Sequence, residues 1–199
     1  MARMEPLNKE DVPELADFFG VFEQRMGFLP NSLLTMAYRP ELVQAFANLG
    51  KVVYTPSEGV PLQLRNMIAN IASRASGCLY CVAHTGSNTL KPGSELEAEK
   101  LEQLWEYETS DLFSERERVA LRFAQAAAVV PNAVEGENFE QMREHFSDQD
   151  IVDILSVISY FGYLNRWNDS MATSLEPIPS SVGETHLAKG GWRPGKHKD

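Results

Sequence analysis

The stretch Gly77-Cys78-Leu79-Tyr80-Cys81-Val82-Ala83-His84-Thr85 contains both cysteines and one of the four histidines of this chain of 199 residues. Gly77 interrupts an apolar helical pattern, and a new helix is predicted to run from about Cys78 to Leu90. A thiol in the first turn of a helix lies beside free N–H groups and the positive end of the helix dipole, which lower its pKa. The stretch is therefore predicted to be a thiol–disulfide site.

The spacing within this stretch suggests how the groups cooperate. The second thiol, one helical turn from the first, can attack a mixed disulfide or a sulfenic acid that forms on its neighbour. His84 follows Cys81 by three residues, so both lie on one helix face and the imidazole could accept or relay the thiol proton. Two other interpretations stay open. The cysteines could be core residues, or two ligands of a zinc site that needs four.

Apolar residues at helical spacing flank the site on both sides, and no β pattern of useful length occurs. The helix that Pro61 opens contains no carboxylate before Gly77, which predicts burial on more than one side. In chain order, the predicted helices cover 13–26, 31–36 with Asn31 as its cap, 40–53, 61–76, 78–90 before Pro92-Gly93, 94–107 with a Ser94–Glu97 capping box, 114–130 with a Ser114–Glu117 capping box, a short helix around 139–146, and 147–174. The predicted fold is therefore all-α, a single-domain helical bundle.

Three segments are predicted. Residues 1–12 form a polar lead-in, residues 13–174 the helical domain, and residues 175–199 an extended, irregular tail that is ordered only if it packs on a neighbour. The tail is assigned from its proline, glycine and serine content.

The charge and the hydropathy exclude some classes of partner. The net charge of −10 argues against nucleic acid and against an anionic membrane surface. No window approaches the roughly 18 apolar residues of a membrane span, and Met1–Pro6 does not resemble a secretory signal. A cytoplasmic location is therefore expected, where a Cys-x-x-Cys pair is more often catalytic or metal-binding than structural.

Several stretches resemble the alkylhydroperoxidase D-like, or carboxymuconolactone decarboxylase, family. The central resemblance is carried by Pro61–Arg65 and Ser76–His84. Phe28–Asn31 with Arg39–Leu42 is similar to the N-terminal region of peroxidase-related members, and Phe161–Asp169 is similar to the last helix of a longer branch. The resemblance implies an AhpD-like helical fold that assembles as dimers, trimers or hexamers.

The resemblance also implies a thiol peroxidase. In this family's mechanism Cys81 would attack the peroxide oxygen, and Cys78 would resolve the sulfenic acid to a disulfide. A dithiol or thioredoxin-like carrier would then reduce the disulfide. The expected partners are a hydroperoxide, this reductant and further copies of the chain, and neither a cofactor nor a metal is expected.

The chain departs from the family pattern at the proton relay. Asn66 stands where the pattern has a glutamate, Thr85 where it has a histidine, and Tyr80 where some relatives have a histidine. His84 is displaced by one residue, which rotates a side chain by about 100° around a helix. Asn66, Tyr80 and Thr85 are therefore retained as candidates for relay or positioning roles.

His84 could act with a carboxylate from another helix. The candidates are Asp169 on the last helix, Glu106 and Glu108. Asp169 has a competing role, since it could instead form an ion pair with Arg166, three residues before it.

Two alternative functions remain at this point. One is a decarboxylase or lactone enzyme of the same fold. The chemistry of such an enzyme gives no reason for the spacing of the two cysteines. The other is a non-enzymatic oligomer that senses redox state through its thiols.

Overall fold

The computed structural model describes residues 2–90 and 98–198, which form ten α-helices, short 3₁₀ and π turns, and no strand. The helices are α1 (Ala16–Met26), α2 (Asn31–Met36), α3 (Pro40–Val53), α4 (Leu62–Ala75), α5 (Leu79–Thr89), α6 (Ala98–Glu102), α7 (Glu115–Ala128), α8 (Gly136–His145), α9 (Asp148–Met171) and α10 (Pro177–Val182). The predicted all-α fold class is confirmed. Within the described ranges, no helix combines the length and the apolar character that crossing a membrane would need.

Helix α4 is the centre of the bundle. Every residue from Leu64 to Ser73 is buried, and the helix packs against α5, α7 and α9. Arg65 is buried as well, with its guanidinium donating to the carbonyls of Val53 at 2.7 Å and Val60 at 3.0 Å and pairing with Asp153 of α9. The predicted burial of α4 on more than one side is confirmed.

The core consists of two clusters that meet along α9. The larger surrounds α4, α5, α7 and α9, and the smaller joins α1, α2 and α3. Tyr160 and Leu164 of α9 pack against both clusters. The cavity that Cys81 lines is formed by residues of both clusters.

Of the two predicted capping boxes, one lies within the residues that the structure describes. Ser114 caps α7 together with Glu117, as predicted, and Ser147 caps α9 together with Asp150. The predicted helix end at Pro92-Gly93 and the Ser94–Glu97 box lie outside the described residues. The helix predicted to reach residue 107 differs in the structure, because α6 ends at Glu102 and a 3₁₀ turn, Leu104–Glu106, follows.

The C-terminal segment, residues 175–198, differs from the extended tail that its composition predicts. It contains α10, a π turn over Gly183–Leu187 and a 3₁₀ turn over Gly195–His197, and it packs on α5 and α6. Pro177 and Pro179 lie in the first turn of α10, where a missing N–H costs nothing. A glycine at 183 admits the ring of Trp192, since a Cβ there would lie 2.5 Å from the ring.

Trp192 attaches this segment to the site helix. Its indole N–H donates to the carbonyl of Leu79 at 2.9 Å, and its side chain is buried. The segment is thus part of the fold, because it covers the first turn of α5.

Candidate functional site

The cysteine pair lies at the start of α5. Gly77 takes a left-handed conformation, with φ of 77°, which a glycine adopts without strain. Cys78 is the N-cap residue, and its sulfur accepts a hydrogen bond from the N–H of Cys81 at 3.4 Å. Both cysteines are free thiols, and both are buried. The two sulfurs are therefore one helical turn apart and shielded from water.

Burial decides the acidity of Cys81. Desolvation raises the pKa of the Cys81 thiol well above its usual range, and the neighbouring Cys78 raises it further. A hydrogen bond from Nδ2 of Asn168 to the Cys81 sulfur, at 3.5 Å, lowers this pKa, but its effect is smaller than that of burial. The lowered pKa predicted from the helix dipole is therefore wrong for Cys81, because burial penalises the charged thiolate.

Of the two cysteines, Cys81 lines a cavity of about 800 Å³, together with His84. The cavity walls are mainly aromatic and aliphatic, and they include Phe18, Phe22, Leu33, Phe46, Tyr54, Leu62, Tyr160, Phe161 and Leu164. Arg25 and Lys51 are exposed cavity-lining residues. The size and the apolar lining are typical of sites for small organic molecules.

A carboxylate that the sequence did not reveal lies beside His84. Oε2 of Glu176 is 2.6 Å from Nε2 of His84, and Oε1 accepts from the hydroxyl of Tyr80 at 2.8 Å and from the N–H of Asn31 at 2.5 Å. Glu176 is buried. It comes from the C-terminal segment, immediately before α10.

The electrostatics of Glu176 favour its charged form. Burial alone would raise the pKa of this carboxyl, but the contact with His84 and the hydrogen bonds from Asn31 and Tyr80 together lower it below its usual value. Asn31 is the first residue of α2 rather than its predicted cap, and the Glu176 carboxylate caps the helix instead. One side chain therefore joins α2, α5 and the C-terminal segment.

The carboxylates predicted as partners of His84 have other contacts. Asp169 forms an ion pair with Lys196 at 2.8 Å, while the Arg166 guanidinium donates to the carbonyl of Gly162 at 2.9 Å. The competing Asp169–Arg166 pair is therefore not formed either. Glu108 pairs with Arg122 at 2.8 Å. Among the described carboxylates, the one that contacts the imidazole of His84 is Glu176. It takes the place predicted for Asp169, Glu106 or Glu108.

The three substituted relay positions have different surroundings. The Thr85 hydroxyl donates to the carbonyl of Cys81 at 2.7 Å and accepts from Nδ2 of Asn70 at 2.9 Å, which ties it to the backbone of α5. Asn66 lines the cavity and donates to the carbonyl of Asn88 at 3.5 Å. Tyr80 stacks on His84, with ring centroids 4.2 Å apart, and holds Glu176. Tyr80 thus positions the His84–Glu176 pair.

Sequence reasoning missed Glu176, Asn168 and Tyr54. Glu176 has one local signal, a lone carboxylate directly before the proline that opens α10. A metal site built from nearby ligands is not formed in residues 2–90 and 98–198, which contain no group of three or more His, Cys, Asp or Glu side chains placed to hold an ion.

The charge on Glu176 predicts a pH-dependent stability. Its folded pKa lies below the unfolded value of about 4.3, so this stabilisation is present above pH ~4.3 and is lost as pH falls through the folded pKa. We expect Glu176→Gln to lower the free energy of unfolding at pH 7 by about 1.5–3 kcal/mol. The difference from the wild type should shrink as the pH falls below about 4.

Urea unfolding between pH 3 and pH 8 measures this effect. Glu184→Gln, at an exposed position in the same segment, is the matched control and should change stability by less than about 0.5 kcal/mol. A Glu176→Gln deficit that is equally large at pH 3 and pH 7 would contradict an origin in the carboxylate charge.

The chain is similar to known proteins both in sequence and in structure. Residues 40–126 match the model of the carboxymuconolactone decarboxylase family. The debrominase Bmp8, solved alone and as a cysteine-to-alanine variant with 2,3,4-tribromopyrrole, is similar at 34% identity and a TM-score of 0.82, over 90% of this chain and 95% of that one. A peroxidase-related protein with an alkylhydroperoxidase AhpD core from Ralstonia eutropha JMP134 is similar at 26% identity and a TM-score of 0.79, over 89% and 94%.

The chain is also similar to a curated protein from a second organism. The protein YdfG of Bacillus subtilis (strain 168) is 26% identical over 130 residues, which are 65% of this chain and 84% of that one. The match to the family model contains the cysteine pair and His84 but ends before Glu176.

Proposed function

Since this chain belongs to the carboxymuconolactone decarboxylase family of AhpD-like proteins, we propose that it is a dithiol oxidoreductase that reduces an organic hydroperoxide. The observation that carries the proposal is the placement of the two thiols. Cys81 lines the aromatic cavity, and Cys78 lies one turn behind it at the start of the same helix. A substrate in the cavity meets Cys81 first, and the oxidised sulfur then has a second thiol beside it.

The first step transfers one oxygen atom. Cys81 loses its proton, its sulfur bonds to the terminal oxygen of the hydroperoxide, and the O–O bond breaks. The alkoxide takes up a proton and leaves as the alcohol, so that Cys81 becomes a sulfenic acid. Because the cavity walls are apolar and aromatic, we propose an organic hydroperoxide as the substrate class.

The second step closes the disulfide. The Cys78 thiol attacks the Cys81 sulfur, the S–O bond breaks, and the oxygen leaves as water. An external dithiol then supplies two electrons and two protons and restores both thiols. We propose a small dithiol or a thioredoxin-like protein for this role.

His84 is the proposed proton acceptor for Cys81. It lines the same cavity, and Glu176 holds its Nε2 in a buried contact of 2.6 Å. A carboxylate on one ring nitrogen fixes the orientation of the ring and compensates the charge that the ring gains with a proton. His84 would thus supply the base that Cys81 needs, because burial keeps the Cys81 thiol protonated.

The test is a titration of the reduced protein with one equivalent of cumene hydroperoxide without oxygen. We expect both thiols to disappear, cumyl alcohol to form in equal amount, and the intact mass to fall by about 2 Da as a disulfide closes. A dithiol should restore the starting mass. Survival of both thiols in excess hydroperoxide would contradict the proposed function.

The similarity to the debrominase Bmp8 favours a second candidate, reductive debromination of a small aromatic ring. In that reaction the Cys81 sulfur would take the bromine without its bonding electrons, and the ring carbon would take a proton. Attack by Cys78 would then release bromide and close the disulfide. The same titration with 2,3,4-tribromopyrrole distinguishes the two, since only debromination releases bromide.

A further inference from the structure

We propose that the Tyr54 hydroxyl donates a hydrogen bond to the leaving oxygen of the hydroperoxide, a role that rests on the proposed function above. Tyr54 lines the same cavity as Cys81. Its hydroxyl oxygen is buried and has no hydrogen-bond partner in the part of the chain that the structure describes. A buried hydroxyl without a partner is costly, and a substrate that accepts its hydrogen bond removes that cost.

An acceptor without a partner lies in the same cavity. Asn168 is fully buried, and its Nδ2 donates to the Cys81 sulfur at 3.5 Å and to the carbonyl of Leu164 at 3.0 Å. Its Oδ1 has no partner within residues 2–90 and 98–198. The cavity lining therefore includes one unpaired acceptor, on the residue that contacts the reacting sulfur, and one unpaired donor, on Tyr54.

A hydroperoxide complements this pair of groups. Its terminal O–H can donate to Oδ1 of Asn168, and its inner oxygen can accept from Tyr54. The terminal oxygen is the atom that the sulfur attacks, and the inner oxygen is the atom that gains negative charge as the O–O bond breaks. A donor on the inner oxygen thus stabilises the transition state more than the bound substrate.

Tyr54 is held in place by rigid elements. It directly follows α3, its ring packs edge-on against Tyr160 and Phe161 with centroids 6.3 Å away, and the preceding carbonyl of Val53 accepts from buried Arg65. Such support fixes the position of a donor before the substrate arrives.

The protonation state of Tyr54 is also suited to donation. Burial raises the pKa of the Tyr54 hydroxyl far above its usual range, and the neighbouring Tyr160 raises it further, while Arg25 and Arg65 oppose this rise with smaller effects. The hydroxyl therefore keeps its proton at neutral pH. It stabilises the departing oxygen as a hydrogen-bond donor, and the proton that completes the alcohol is the one that Cys81 lost.

The test compares two oxidants in single-turnover oxidation of Tyr54→Phe. Cumene hydroperoxide releases an alkoxide, which needs a donor, whereas 3-chloroperbenzoic acid releases a carboxylate, which does not. We expect the variant to react about 100-fold more slowly with cumene hydroperoxide. Its rate with the peroxy acid should change by less than about threefold, since that leaving group is a weak base.

Two controls separate this role from a structural one. Tyr107→Phe also removes a tyrosine hydroxyl, one bonded to Gln125 at 2.8 Å outside the cavity, and should keep both rates. Alkylation by iodoacetamide should proceed equally in wild type and Tyr54→Phe, because it depends on the Cys81 thiolate but not on an oxygen leaving group.

The outcomes are distinct. An equal loss with both oxidants, or no loss with either, would overturn the role of Tyr54 while leaving the dithiol function in place. A wild-type protein whose thiols survive both oxidants would overturn the proposed function, and the role of Tyr54 with it.

Discussion

Cys81→Ser is expected to leave the protein folded and to abolish hydroperoxide consumption, with a loss of at least about 1000-fold in rate. A serine hydroxyl stays protonated at neutral pH and cannot take up the peroxide oxygen as sulfur does. The substitution keeps nearly the same volume at a buried position. The effect should therefore appear in turnover rather than in stability.

Cys78→Ser should behave differently. Serine is a favoured N-cap residue, so the start of α5, where the Cys78 sulfur accepts from the Cys81 N–H, should be kept. We expect one equivalent of hydroperoxide to be consumed and a sulfenic acid to accumulate on Cys81, which dimedone traps. Turnover with a dithiol should collapse, because no second thiol closes the disulfide.

The two variants together assign the order of the thiols. Intact mass and peptide mapping of the dimedone adduct locate the oxidised sulfur. An adduct on Cys78 in the Cys81→Ser variant would reverse the assignment. Equal, rapid peroxide consumption by both variants would show that neither thiol is the required nucleophile.

Arg65→Met is expected to have the largest effect on stability, a loss of about 3–5 kcal/mol. The guanidinium is 1% exposed, and its removal leaves the Val53 and Val60 carbonyls and Asp153 without this donor. Methionine nearly preserves the length of the side chain, so the loss reports the missing hydrogen bonds and charge rather than a large cavity.

Urea unfolding measures the loss. Arg166→Met is the matched control, because Arg166 is exposed on α9 and should contribute less than about 0.5 kcal/mol. A loss below about 1 kcal/mol in Arg65→Met would contradict the assigned role of the buried guanidinium.

The sequence predicts the local features of this fold well. Pro40, the Ser114–Glu117 box and the glycine before Cys78 mark helix boundaries through interactions with residues close along the chain. Such signals act within one or two turns, so a single sequence contains them. The burial of α4 on several sides likewise follows from its lack of carboxylates.

The features that escape prediction depend on distant contacts. Glu176 lies 92 residues from His84, and no spacing rule connects them. The position of Cys81 on its helix predicts a lowered pKa, whereas the surrounding core reverses the direction of the shift. The spacing of Asp169 and Arg166 predicts an ion pair, but the fold brings Lys196 to Asp169 instead.

The C-terminal segment has a consequence for synthesis on the ribosome. Glu176 is added 92 residues after His84, which at 5–20 residues per second takes about 5–20 seconds. During that interval the nascent chain contains both cysteines but not the residues that will cover the start of α5. We therefore expect the two thiols to be more accessible in a nascent chain that ends before Glu176 than in the finished protein, where both are buried.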